Sequence, residues 1–158
     1  RGAWRRKYLG FTTPAILETV SENDGRYHIT MNDIAAKMQR KENFCALNGA
    51  SGKNIQNAEI TLGLQFAQDY REYVAAFGAA SFAGHELTGV CGSKRLNVVP
   101  VTLEERNNTA VPSDWYVLEQ ANIDDIVLWQ DRSGAVYQTA PHIKPRKLCR
   151  SLAEYIEL

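Results

Sequence analysis

The feature that most constrains this chain is a change of texture at Gly78. Before it, apolar residues recur at helical spacing; after it, short β-branched and aromatic runs alternate with turn residues. Thr30 is placed to cap a helix whose inner face is Ile34, Ala35 and Met38. Asn48-Gly49 reads as a turn. Ser51 then caps a second helix with Ile55, Ala58 and Leu62 on one face and Gly63 as its stop. Asp69 opens a third, lined by Tyr70, Tyr73, Val74 and Phe77, and Gly78 ends it as a left-handed stop.

Beyond Gly78, His85 to Cys91 reads as a short strand. Thr102 and Glu105 have the spacing of a capping box, which predicts a brief helix over 103–107. Pro112 marks a loop. Trp115–Gln120 and Asp125–Gln130 read as strands separated by Asn122 to Asp124. Asp131 to Gly134 is a hairpin turn leading into a strand over Ala135–Thr139. Pro141 and Pro145 predict an irregular stretch. Ser151 with Glu154 is a second capping box, opening a last helix that carries Leu152, Tyr155 and Ile156. Helices first and antiparallel hairpins after is the order of an α+β fold.

Residues 1–30 differ from the rest. Arg1, Arg5, Arg6 and Lys7 surround Trp4 and Tyr8, Ala15–Val20 is a short, weak helix, and Ser21 to Gly25 is a polar break. This stretch reads either as a partly docked extension or as an arm for a nucleic acid or partner. The division is therefore an unassigned extension over 1–30 and one domain over 31–158.

A chain of 158 residues supports one stable core without staples. Its 18 basic and 18 acidic residues cancel, which argues against a general nucleic-acid or membrane-surface binder. The longest weakly polar run, Val74 to Gly84, falls short of the ~18 residues of a membrane span. The N-terminal stretch, with Thr12, Thr13, Pro14 and Glu18, makes a poor signal-peptide core. Cys45, Cys91 and Cys149 form no disulfide framework, which suits a reducing cytoplasm.

Catalytic patterns mostly fail. Gly52-Lys53 invites a phosphate loop, but Leu47 stands where that motif needs Gly and Asn54 where it needs Ser or Thr. His85-Glu86 invites a zinc protease, but Gly89 stands where the second His belongs. His28, His85 and His142 are scattered, and no metal or cofactor motif is present. A nucleophile pair of Cys91 and His142 would have to be made in space, and nothing local supports it.

The stronger signal is charge segregation. Asp114, Glu119, Asp124, Asp125 and Asp131 form a run without a cation; Arg132, Lys144, Arg146, Lys147 and Arg150 form a run without a carboxylate. One reading is a mixed solvated surface paired across hairpins. The other is an acidic face for a basic partner, with Trp129 and Tyr137 as anchors at its edge or as core strand residues.

The ordered set Gly49-Ala50-Ser51, Asn54-Ile55, Ala58-Glu59, Leu62-Gly63, Asp69-Tyr70, Tyr73, Phe77-Gly78, Phe82 and Gly84-His85-Glu86-Leu87-Thr88-Gly89 resembles the SUKH superfamily. It looks closest to the bacterial YobK-like branch, named together with yeast cell-wall assembly regulators. The resemblance continues through Val98 to Arg106, the strand runs and Ser151 to Ile156, so it covers roughly residue 45 onward. Phe66-Ala67-Gln68 departs from the Leu-Pro that many relatives carry before Asp-Tyr, and loses the rigid entry that Pro gives. The resemblance implies an α+β fold with a mostly antiparallel central sheet, N-terminal helices and a C-terminal helix around it. It implies no enzymatic activity and no cofactor. It implies a cytoplasmic immunity protein that binds the C-terminal domain of a cognate polymorphic toxin, often a nuclease. A nuclease face is basic, so Glu119, Asp124, Asp125, Asp131 and Trp129 are the expected partner-binding residues. The resemblance also allows a regulatory adaptor that binds host proteins. An enzyme using Cys91 is the third reading; it requires turnover that Cys91→Ser abolishes.

Overall fold

The structure is a computed structural model that describes residues 19–21, 28–30 and 33–158. Its first elements are two short antiparallel strands, β1 (Thr19–Ser21) and β2 (His28–Thr30), which pair Val20 with Ile29. The helix expected over Ala15–Val20 therefore fails at its end, where Thr19 and Val20 favour strand; residues 15–18 lie outside the described residues. Thr30 closes β2 and is not a helix cap.

Helix α1 (Asp33–Gln39) buries Ile34 and Met38, as their spacing requires. β3 (Cys45–Ala46) follows, then α2 (Gly52–Leu62), whose ends are set locally. The Ser51 hydroxyl accepts from the Asn54 N–H at 3.2 Å, and Gly63 takes the left-handed conformation, φ 67°. Helix α3 (Gln68–Phe77) lacks a side-chain cap and a proline entry. Two long-range acceptors fix its start instead. The Phe66 N–H donates to Glu59, at 2.9 Å, and the Ala67 N–H to the Tyr116 hydroxyl, at 3.0 Å.

Gly78 ends α3 with φ 68° but ψ −63°, so it is a positive-φ stop outside the left-handed helical basin. A Cβ on Gly78 would strike the Asn48 carbonyl, and one on Gly89 would strike the Gly78 carbonyl. These glycines let three backbone segments touch. β4 (Ala80–Phe82) then pairs with β3 and with β5 (His85–Glu86), so the expected strand over His85–Cys91 is only its first two residues.

Helix α4 (Val98–Asn108) starts five residues earlier than the Thr102 capping box implied. Asn97 is the cap, accepting from the Val99 N–H at 3.0 Å. Pro100 is tolerated because the first turn has no intrahelical use for its N–H. Thr102 is buried mid-helix, and its hydroxyl accepts from Val117 N–H at 3.0 Å.

The last part of the fold is a four-stranded antiparallel sheet in sequence order: β6 (Tyr116–Gln120), β7 (Val127–Gln130), β8 (Val136–Ala140) and β9 (Ile143–Cys149). The irregular stretch expected around Pro141 and Pro145 is strand β9. Pro145 fits because β9 is an edge strand of this sheet. Helix α5 (Leu152–Ile156) closes the chain, its Ser151 cap accepting from Glu154 N–H at 3.1 Å. An isolated bridge between Leu87 and Glu119 links the three-stranded sheet to β6.

Alternation along the strands divides the core. Tyr116, Leu118, Leu128 and Val136 join the helical residues in the main cluster. Val117, Val127 and Trp129 turn to the other face and pack with Val101 of α4 and Trp115. The fold is thus α+β; the described residues hold three antiparallel sheets, of two, three and four strands, and five helices. Among the described residues no helix is long and apolar enough to cross a membrane.

Candidate functional site

The antiparallel order of β6 to β9 fixes which turns share an end. The β6–β7 turn and the β8–β9 turn lie at one end of the sheet; the β7–β8 turn lies at the other. The acidic stretch of the sequence is therefore not one face. Asp124 and Asp125 are exposed in the β6–β7 turn, whereas Asp131 sits at the opposite end. Asp131 organises its own turn, accepting from Ser133 and Ala135 N–H groups and from the Tyr137 hydroxyl.

The other two expected contact residues are inside. Trp129 is 0% exposed, and its indole N–H donates to Thr139 at 2.8 Å. It is a core residue of the second cluster and cannot anchor a partner directly. Tyr137, half-buried, stacks on Trp115 with ring centroids 4.0 Å apart. Glu119 is 5% exposed and joins three elements. It accepts from Glu86 N–H at 3.0 Å and from the Tyr155 hydroxyl, and its other contact is His85 Nδ1 at 3.0 Å. The Glu119 hydrogen bond raises the His85 pKa, outweighing partial burial. Burial and the nearby carboxylate hold the Tyr155 phenol well above its usual range. Glu119 therefore ties β5, β6 and α5 together. Its neighbours are more than thirty residues away in sequence, which is why no local signal marks them.

What the end of the sheet does present is a cleft of about 730 Å³ between the C-terminal end of α4 and the two turns. Glu105, Asp125, His142 and Lys144 line it, together with Ile126 and Ile143. Glu105 is steadied by the Gln120 amide, which donates at 2.6 Å. Ile123 is 65% exposed on the adjoining turn and Ile143 is 68% exposed. Asn122, Asp124, Asp125 and His142 all hold positive φ, at 55°, 53°, 53° and 63°. Left-handed backbone costs a residue with a Cβ roughly 1–2 kcal/mol, so such positions clustered on one rim mark it as a functional candidate. The open, mixed-charge cleft suits side chains of a macromolecule more than an enclosed small ligand.

The remaining sequence candidates fall elsewhere. Cys91 lines a different groove, of about 570 Å³, between α2 and the start of α4, whereas His142 is at the sheet-end cleft. The structure does not bring that pair together. Burial pushes the Cys91 thiol up, the opposite of nucleophile activation. Among the described residues no cluster of His, Cys, Asp and Glu could hold a metal ion.

Residues 31–157 match the family model SUKH_5, described as SMI1-KNR4 cell-wall. No curated protein matches the chain. The match spans most of the sequence, and the chain belongs to this SUKH family.

Proposed function

We propose that this SUKH-family chain is a bacterial immunity protein of the YobK-like kind. In this reading it acts in the cytoplasm without cofactor or turnover, by stoichiometric binding to the C-terminal domain of a cognate polymorphic toxin. A nuclease or another nucleic-acid-targeting toxin fits best. One observation carries the reading: Asp124 and Asp125 stand exposed beside Ile123, on a turn held at positive φ over a mixed-charge cleft. Exposed carboxylates steer a basic partner and select its orientation, while the isoleucines supply desolvated contact. A nucleic-acid-degrading domain is basic where it grips phosphates, and carboxylates can occupy that face. Glu119 and Trp129 serve the fold from inside rather than touching the toxin, and Asp131 organises its own turn at the opposite end of the sheet.

The family description, SMI1-KNR4 cell-wall, favours a second reading, a regulatory adaptor that binds host proteins. Capture with the full chain as bait in the source bacterium, with mass spectrometry of what is retained, separates the two. Recovery of a toxin C-terminal domain, together with rescue of cells co-expressing it, is the expected result. Recovery of host regulatory proteins alone, without rescue, rejects the immunity reading.

A further inference from the structure

The groove between α2 and the start of α4 has no role in the reading above. Asn54, Asn57 and Thr61 line it from α2; Asn97, Val99 and Pro100 line it from the start of α4. Among the described residues, none that lines it is charged. α2 as a whole carries only Lys53 and Glu59, and Glu59 is engaged by Arg71 and the Phe66 N–H. Two exposed aliphatic side chains stand close by in sequence. Ile60 follows Asn57 by about one turn of α2, and Leu103 follows Val99 by about one turn of α4. An exposed helix face ordinarily takes charged residues, which keep it soluble. A charge-free strip with exposed aliphatics beside it has instead the composition of an interface core.

The polar groups of the lining select what fits there. Asn97 is occupied: its Oδ1 accepts from the Val99 N–H at 3.0 Å, and its Nδ2 donates to the Cys91 carbonyl at 2.8 Å. Asn54 and Asn57 differ, since both are exposed. The Asn54 N–H donates to Ser51 Oγ at 3.2 Å, and the Asn57 carbonyl accepts from the Thr61 hydroxyl at 2.9 Å; both bonds use backbone atoms of the two asparagines. Among the described residues, their carboxamides are left with donors and acceptors open to a partner. Three residues apart on a helix, their Cβ atoms lie ~5–6 Å from each other. Alternate residues of an extended chain repeat at a similar ~6.6 Å. From Asn54 to Thr61 the helix rises ~10 Å, the length of about three extended residues.

We infer that the α2–α4 groove docks a short, extended, uncharged segment of a partner protein, whose main chain is read by Asn54 and Asn57. An extended segment has free N–H and C=O groups for the two carboxamides. A docked helix fits less well, because its own ladder consumes those groups. A charged side chain entering the groove gives up water and meets no counter-charge. A nucleic acid finds neither a cation nor an aromatic platform in the lining. Val90, Val99 and Pro100 supply apolar contact for small side chains of the segment.

The test uses the full chain, isotope-labelled for NMR and titrated with N-acetylated, C-amidated hexapeptides built from Ala, Ser, Val and Gln. Saturable shifts are expected in the side-chain amide signals of Asn54 and Asn57, with Asn122 of the β6–β7 turn unmoved. Asn54→Ala with Asn57→Ala should weaken the best peptide about tenfold, because its main chain loses two partners. Both positions are exposed, so thermal unfolding of this variant should stay where it is. Glu or Lys placed at each peptide position in turn should weaken binding about fivefold or more at the enclosed positions, alike for the two signs. Asp124→Lys with Asp125→Lys should leave binding unchanged. Four results overturn the proposal. They are no saturable shift with any hexapeptide, equal binding by the folded Asn54/Asn57 variant, a preference for one sign of charge, and shifts that track protein concentration without peptide. The last would mark a contact between copies of the chain. None of these outcomes touches the sheet-end reading, which rests on different residues.

Discussion

Glu119 and the Asp124-Asp125 pair lie within seven residues of one another and carry the same charge, yet the fold gives them opposite work. Glu119 is enclosed at the meeting of β5, β6 and α5 with donors on both carboxylate oxygens. Asp124 and Asp125 stand in solvent on a strained turn. A buried carboxylate must be matched by hydrogen bonds or the structure is lost, whereas an exposed one is free to meet a partner. Trp129 and Tyr137 divide the same way across one β7–β8 pair. The first is sealed and bonded to Thr139; the second is half-open against Trp115. Charge and residue type thus say little about role until burial is known.

The contrast can be broken or sharpened by substitution. The largest effect belongs to Trp129→Ala, which empties the second core cluster and should cost about 4 kcal/mol in urea unfolding. Glu119→Ala comes next, at about 3 kcal/mol, because Glu86 N–H and the Tyr155 hydroxyl lose their acceptor. A loss below ~1 kcal/mol would show that the junction is not holding α5. His142→Gly should go the other way, gaining roughly 0.5–1 kcal/mol by relieving a positive φ, while weakening binding if the ring belongs to the rim.

A smaller effect is expected with pH. Because Glu119 raises the His85 pKa above 6.5, the protonated ring favours the folded state. That contribution is whole below pH 6.5 and fades as pH climbs through the higher folded value. The urea midpoint of the native chain should therefore exceed that of His85→Gln by more in acid than in base. A gap that ignores pH would mean that the ring is not charged against Glu119.

These substitutions also show what local sequence can reveal. Ser51, Gly63 and Ser151 were legible because a cap needs only its own helix end. The Thr102–Glu105 spacing misled because the same pattern occurs inside a helix, where Thr102 serves β6 instead of its own N-terminus. Strand β9 was obscured by Pro141 and Pro145, which end central strands but not edge ones. Of the expected partner-binding residues, Asp124 and Asp125 reach the sheet-end rim. Burial of Glu119 and Trp129, and the removal of Asp131 to the opposite end, come from strand pairing and from α5 docking. The cleft itself joins residues from Glu105 to Pro145, so no window of sequence contains it.

The decisive comparison is between stability and binding in one variant, Asp124→Lys with Asp125→Lys. Both side chains are exposed, so unfolding should move by less than ~0.5 kcal/mol. Surface plasmon resonance against the captured toxin domain should show at least about a hundredfold weaker binding, with an on-rate less sensitive to salt. Unchanged affinity and on-rate in a stably folded variant would contradict the account and move the partner surface away from this end of the sheet.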